Sequence, residues 1–529
     1  MMTESFRKIG CTRRLPGRFF ARPSLHPHVL SWPSLRAFAN RGCQPHFATG
    51  SRKVAIAALA LALVGCATTP TQPPSLDLPS TTAQVAPSLE KWWTDFNDPT
   101  LNQLVDEALA NNLDVRAAMA RVESARAQVK LSQADLFPTI DLGINANRQR
   151  FSQQIPTLPP GISPIVNDYR VGLQASYEVD LWGKFRTSTR AAQNDLVASQ
   201  FARETVHTVV AADTARFYFN LLAADAQLSL LEDTLRIRDE SVALQTDRYQ
   251  AGIIGDYDLG TAKAERASVA SDVAVARRSV AEFESALAVL LGRSPREVFT
   301  PTVARSVALS WGTAVPTIPS GLPSDLLARR PDIQQAESAL AAADMRIDVA
   351  RADYFPSLSL SGTYGSEAAV LKNLFSGPGL IWSIGAMIAQ PIIGFKAIEA
   401  NVEARSAARD ELIVAYTKTV QAAFHDAHDA LSANETTRAA LAAQTERKDE
   451  LSRVLELSDL RYRSGYSPYL EVLDAQRQLL QAQTLQIVAA RNVRLAVVDL
   501  AKALGGGWDY QNAVQPPTSL VGVNSGIKK

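Results

Sequence analysis

No proline interrupts residues 186–250 or residues 396–463, and within both stretches the apolar residues fall at helical spacing. A continuous helix of about 65 residues is roughly 98 Å long at 1.5 Å per residue, a length no compact soluble domain needs. Leu228, Leu235, Val242 and Tyr249 form one heptad row, and Leu230, Ile237 and Leu244 form a second, part of the way round the same helix. Two apolar stripes place a neighbour on each side, as in a closed ring of helices; one broad core face in an ordinary bundle gives the same pattern. Both long segments end at a glycine, Gly252 and Gly465, and helical spacing resumes a few residues later. Those glycines read as the tips of helical hairpins.

The two long segments belong to a duplication. "DLFPTIDLG" at 135–143 returns as "DYFPSLSLSG" at 353–362, "RYQAG" at 248–252 as "RYRSG" at 461–465, and "LLGRSP" at 290–295 as "ALGGGW" at 503–508. Three anchors recur in one order at a nearly constant shift, far too long a period for a solenoid. Each half opens on an Ala-rich helical stretch (98–135 and 323–353), and Phe-Pro stops it, because proline disfavours helix at the residue before it. Period-two strands follow: Ile140, Leu142 and Ile144, then Val171 through Leu181; in the second half Leu358 and Leu360, then Trp382, Ile384, Ala386 and Ile388. Loops at 151–167 and 365–379 join the strands, and the long helices come next. The expected boundaries are an extension and signal at 1–65, a tether at 66–90, a first repeat at 91–300, a linker at 301–322, a second repeat at 323–508 and a tail at 509–529.

The N-terminal part is a different material. Ten of the 54 basic residues but one of the 53 acidic residues precede position 66, so the body is acidic and offers no basic surface for nucleic acid. Arg52 and Lys53 precede a short apolar run that ends in Leu63-Val64-Gly65-Cys66, the layout of a secretory signal and too short to span a bilayer. This run resembles the bacterial lipobox, whose cysteine carries a diacylglycerol thioether and becomes the first mature residue. Ala67, rather than Asp, follows Cys66 and favours the outer membrane. Residues 1–50 read as an over-called translation start. The only other cysteines, Cys11 and Cys43, also lie before the body, which excludes a disulfide framework or a cysteine-based zinc site there.

Amphipathic strands in an outer membrane must close into a barrel, because an unpaired edge in lipid is costly. Four strands cannot enclose a pore when membrane barrels begin at about eight. Several copies must therefore share one barrel, and two, three or four would each satisfy the constraint.

The body resembles the TolC-like outer-membrane factor family, most of all its lipoprotein branch of the NodT or OprM type. The resemblance covers about 90–508. It rests on "KWWTDFNDPTLNQLVDEALANNLDVRAAMARVESARA", "LFP", "YEVDLWGKFR", "RYQAGIIGDYDL", "LPSDLLARRPDIQQAESALAAADMRIDVARADYFPSLSLSGTYG" and "RYRSGYSPYLEVLDAQ", in family order. It implies a mostly α fold with a small β part, built from a duplicated helix-strand-strand-helix-helix unit. Four strands per chain would contribute to a 12-stranded transmembrane β-barrel in a homotrimer, continued by a long periplasmic coiled-coil α-barrel. It implies outer-membrane lipid, a periplasmic adaptor and an inner-membrane RND-type pump as partners, small toxic molecules as cargo and no cofactor. The exit duct of a type I protein secretion system is the alternative.

The resemblance also implies which residues work. Glu471 and Asp474, i and i+3 after the second tip, match the acidic ring of the periplasmic gate; a solvated acidic helix start suits the same residues. Asp258 and Tyr462 match a hydrogen-bond network that holds the tips shut. Ser467 stands where the family has a basic residue, which leaves Arg461 or Arg463 as substitute partners. Gly252, Ile253, Ile254, Gly465, Tyr466 and Ser467 are the expected adaptor contacts, unless the two isoleucines pack inside the hairpin end. His425 and Asp429 have the spacing of two metal ligands but lack a third and read as a polar patch on a long helix. No phosphate loop, dinucleotide fingerprint, zinc-protease motif or nucleophile elbow is present, so no enzyme activity is expected.

Overall fold

The computed structural model describes residues 89–152, 163–306, 316 and 329–508. The lipobox with Cys66, most of the tether, most of the linker and the tail lie outside the described residues.

A short 3-10 turn, Trp92–Phe96, leads into α1 (Pro99–Asn111) and α2 (Leu113–Ala134). Strands β1 (Thr139–Arg150) and β2 (Ile165–Val179) follow, then the long α3 (Lys184–Gln250), α4 (Asp256–Leu290) and a short α5 (Pro295–Phe299). The second half repeats the order with α6 (Pro331–Ala352), β3 (Ser357–Ala368), β4 (Leu380–Ala389), α7 (Phe395–Arg463) and α8 (Tyr469–Ala503). At 67 and 69 residues, α3 and α7 are about 100 Å long.

Several boundaries differ from the sequence reading, and β2 already begins at Ile165, inside the expected loop 151–167. The stretch 98–135 is two helices, because the Asn112 side chain accepts hydrogen bonds from the Asp114 and Val115 amides and caps a new start, while its Nδ2 donates to the Leu290 carbonyl at 2.8 Å. Strand β3 runs on through Ala368 instead of yielding to loop at 365, because its end pairs with β2 and Arg170 meets Glu367 there at 2.7 Å. Leu181 lies just beyond β2.

The four strands form one antiparallel sheet in the order β1-β2-β3-β4, with β1 and β4 as free edges. The register sorts residue types onto two faces. Ile140, Ala175, Gly362 and Ile384 share one row; Leu142, Leu173, Tyr364 and Trp382 share the next. The rows between them, on the opposite face, are polar, for example Asp141, Gln174, Thr363 and Ser383. The apolar face packs against none of the other described elements, and Ile384 is 85% exposed. On the polar face Gly143, Gly172 and Gly365 stand in register, and a Cβ on Gly365 would lie 2.3 Å from the Val171 carbonyl oxygen. The backbones approach so closely there that only glycine fits.

The core lies away from the sheet, around the middle of α3. Trp92, Trp93, Phe96, Leu101 and Val105 pack on Tyr218, Phe219, Leu221 and Leu222, with Val497 and Val498 of α8 closing the cluster. Tyr218 donates to Asp98 Oδ2 at 2.7 Å, and the same carboxylate caps α1 and accepts from Ser306. Desolvation raises the Tyr218 phenol well above its ordinary pKa, so it remains a donor. Next to the sheet the two halves clasp: Trp182 stacks on Phe355 at 4.8 Å and donates to the Pro356 carbonyl at 2.7 Å. Among the described residues no helix is long and apolar enough to cross a membrane.

Candidate functional site at the hairpin tips

The ends of the helical hairpins lie at the opposite pole of the chain from the sheet. Each tip is closed in the same way. Gly252 (φ +74°) donates to the Tyr249 carbonyl and Ile253 to the Arg248 carbonyl, both at 2.9 Å. Gly465 (φ +78°) donates to Tyr462 at 3.0 Å and Tyr466 to Arg461 at 2.9 Å. This is the Schellman turn, which needs a left-handed residue and so selects glycine. The tips differ in what they display. Ile253 is 70% exposed while Ile254 is half-buried, so only the second is partly covered by the hairpin end. Tyr466 is exposed; the Ser467 hydroxyl oxygen is buried with no hydrogen-bond partner among the described residues.

The acidic residues separate as well. Glu471, in the first turn of α8, meets Arg461 of α7 at 3.6 Å. Arg461, one of the two expected substitute partners, thus lies beside Glu471, although the pair is within one hairpin rather than between two. Asp474 is exposed and accepts from Gln478 Nε2 at 2.6 Å. Asp258 makes no hydrogen bond or ion pair with a described residue. Tyr462, expected near it, accepts instead from Arg248 of α3, whose guanidinium lies 5.5 Å from the phenol ring centre.

Near the tips, four polar links among the described residues join the first hairpin to the second; a fifth, Arg216 of α3 with Asp499 of α8, lies farther along the seam. Besides Arg248 with Tyr462, Ser241 and Tyr469 share a hydrogen bond of 2.6 Å, Arg238 donates to Gln476 Oε1, and Arg477 pairs with Glu265. The hydrogen bond from Arg477 holds the Glu265 carboxyl below its ordinary pKa. Farther from the tips the same seam turns apolar, with Leu228, Leu231, Leu235, Val273, Ala276 and Leu480 packed together. Arg238 and Gln245, one and two heptads beyond Leu231, are buried to 3% and 1% exposure. Burial pushes the Arg238 pKa down, yet the group remains a cation. Its Nε and the Gln245 Oε1 have no hydrogen-bond partner among the described residues. Each such orphaned atom costs on the order of 1–3 kcal/mol, so the polar stretch of the seam is held less firmly than the apolar one.

The sequence reading missed this row. Its signal was present, since Leu231, Arg238 and Gln245 continue one heptad phase, but Arg and Gln in that phase read as surface. Of the two apolar rows that were read, Leu228 and Leu235 pack within the chain, while Ile237 and Leu244 of the other stay exposed. His425 and Asp429 lie 3.5 Å apart on an exposed face of α7, and no cluster of three possible metal ligands occurs among the described residues.

A family model described as outer membrane efflux protein matches residues 104–293 and 322–506. The solvent efflux pump outer membrane protein SrpC of Pseudomonas putida is 35% identical over 424 residues, covering 80% of this chain and 89% of its own. The pyoverdine export outer membrane protein OpmQ, also of Pseudomonas putida, is 33% identical over 467 residues, covering 86% of this chain and 98% of its own. Among solved structures, the Campylobacter jejuni CmeC outer membrane channel superposes with a TM-score of 0.77 at 28% identity, covering 83% of this chain and 95% of that one.

Proposed function

The chain belongs to the outer membrane efflux protein family and is an outer-membrane efflux channel that extends into the periplasm, and from that premise we propose that it works as a homotrimeric exit duct with a gate at the hairpin tips. The observation that carries a shared barrel is the open sheet, apolar on one face and polar on the other, with both edges free, and the likeness to the outer-membrane channel family supports three copies. Three copies give twelve strands, enough for a closed barrel, and every strand is at least ten residues long, sufficient to cross the membrane at the usual tilt. β4 of one copy pairs with β1 of the next, a head-to-tail contact that closes as a ring. Cys66 carries the lipid that helps hold the chain in the membrane.

In the ring, Glu471 and Asp474 of three copies surround the axis at the periplasmic end, where the carboxylates attract cations and repel anions. The four polar links between hairpins keep the resting duct shut. Asp258, without a partner among the described residues, is available to a basic residue of the adjacent copy. Ile253 and Tyr466 protrude from the tips and contact a periplasmic adaptor, which couples the duct to an inner-membrane pump of the RND type. Relatives named for solvent and toluene export support small apolar toxic molecules as cargo.

Deleting the gene and following a fluorescent efflux substrate in energised cells tests the duct. Accumulation should rise and should be restored by residues 66–529 behind a known lipoprotein signal. Unchanged accumulation together with loss of a protein from the medium would place the chain in secretion instead.

A further inference from the structure

The apolar face of β1 does not end in apolar residues. Ile140, Leu142, Ile144 and Ala146 are followed on the same face by Arg148 and Arg150, opposite Asn167 and Ile165 of β2. Both arginines are exposed, and neither forms an ion pair with a described residue. Arg170 behaves differently: it lies on the polar face and is neutralised by Glu367.

Their height fixes what they meet. β1 leaves the helical body at Thr139 and rises towards the loop after Arg150, so its last residues lie at the outer end of the sheet. Arg148 is eight residues beyond Ile140, about 26 Å along the strand. At a strand tilt of about 40° that is roughly 20 Å of height, and Arg150 is roughly 25 Å above Ile140. The apolar band of a membrane barrel is about 25 Å tall. Measured from Ile140, Arg150 therefore stands at the outer limit of the hydrocarbon, and Arg148, about 5 Å below it, reaches the same outer-leaflet head-group level by extending its long side chain. The other outer loop adds Lys372, exposed in the 3-10 turn Leu371–Asn373.

We propose that Arg148 and Arg150 form a binding site on the outside of the barrel for an anionic, phosphate-bearing lipid head group of the outer leaflet. Guanidinium groups pair with phosphate oxygens in a bidentate fork, and two of them, two residues apart on one strand face, can hold one head group while its acyl chains lie along Ile140–Ile144. Neutral lipid offers the same acyl chains but no net charge to match.

The test uses the full channel purified in neutral detergent and titrated with phosphatidylglycerol or phosphatidylcholine, with bound lipid counted by native mass spectrometry. The wild-type protein should hold phosphatidylglycerol more tightly, with roughly a fivefold contribution from each arginine. The single variants R148Q and R150Q should each lose about fivefold and R148Q/R150Q the whole preference, while R148K/R150K retains most of it. The inward R170Q should leave the preference unchanged. Equal affinity for the two lipids in the wild type overturns the site, as does a preference that survives R148Q/R150Q or falls as far in R170Q.

Discussion

Twenty residues of α3 are buried and only five of α7, although α7 is the longer helix and occupies the same place in its repeat. Composition does not explain the gap. Neighbours do: α3 is flanked by α2 and α6 in its upper half and by α4 and α8 in its lower half, whereas α7 packs chiefly against α6 and α8. What α7 lacks are counterparts of α6 and α8, the helices that the second repeat supplies to α3. α2 itself leaves Leu113, Met119 and Leu131 exposed, and α7 leaves Val414 exposed. In the proposed ring the flank that ends in β1 and α2 and the flank that ends in β4 and α7 are two halves of one contact. The first repeat is finished within the chain, and in the proposed ring the second would be finished by the next copy.

The largest effect should come from breaking the finished side. Leu221, fully buried on α3, replaced by Ala costs about 2–5 kcal/mol and lowers the denaturant midpoint. Val414→Ala on α7 should cost the isolated chain under about 0.5 kcal/mol. Next, Val414→Arg should shift the trimer towards monomer at least about tenfold by light scattering, the ratio that 1.4 kcal/mol supplies. A trimer unmoved by this change would mean that the open side of α7 faces solvent.

Smaller effects test whether the halves are equal where they look equal. Gly252→Ala and Gly465→Ala should each cost about 1 kcal/mol, because the two turns share one left-handed geometry. A large inequality in thermal unfolding would separate the tips. The link from Glu265 to Arg477 joins the halves and should respond to acid. Its lowered pKa means the charged pair is fully present above the ordinary glutamate value of about 4.3 and is lost as pH falls through the lowered value. Resting conductance should therefore be flat at neutral pH and rise on acidification below that range, and E265Q should abolish the rise. The smallest effect is expected from Ser467→Arg, which restores a cation beside the second tip and should lower resting conductance a few-fold. No change would indicate that Arg461 already fills that role.

Much of this architecture was legible in the residues. The proline-free runs gave the long helices nearly to the residue, because nothing within 186–250 or 396–463 can break an amide ladder. The glycine tips and the strand faces followed from periods of 3.6 and 2. The misses have local causes. Asn112 divides a helix through a cap that depends on its side chain, and its other hydrogen bond goes to Leu290, distant in sequence. The end of β3 is fixed by a partner strand and the pair Arg170 with Glu367, which no single segment announces. At the tips, sequence identified Glu471, Asp474, Asp258 and Tyr462, but not that Arg248 is the partner of Tyr462. Nor did it find the buried Arg238 and Gln245, since polar residues enter a helical seam only when a second helix is there to cover them.

The length of α3 and α7 also makes the molecule a ruler. Membrane and docking end are held apart by helices that cannot stretch, so the gap between them changes only in steps of 1.5 Å per residue, each with a rotation of about 100°. Lengthening the duct while keeping its seams in phase therefore requires seven residues at a time, about 10 Å, added together to α3, α4, α7 and α8. A smaller or unmatched insertion would turn Arg238 and Leu231 away from their partners before it moved the tips to a new depth.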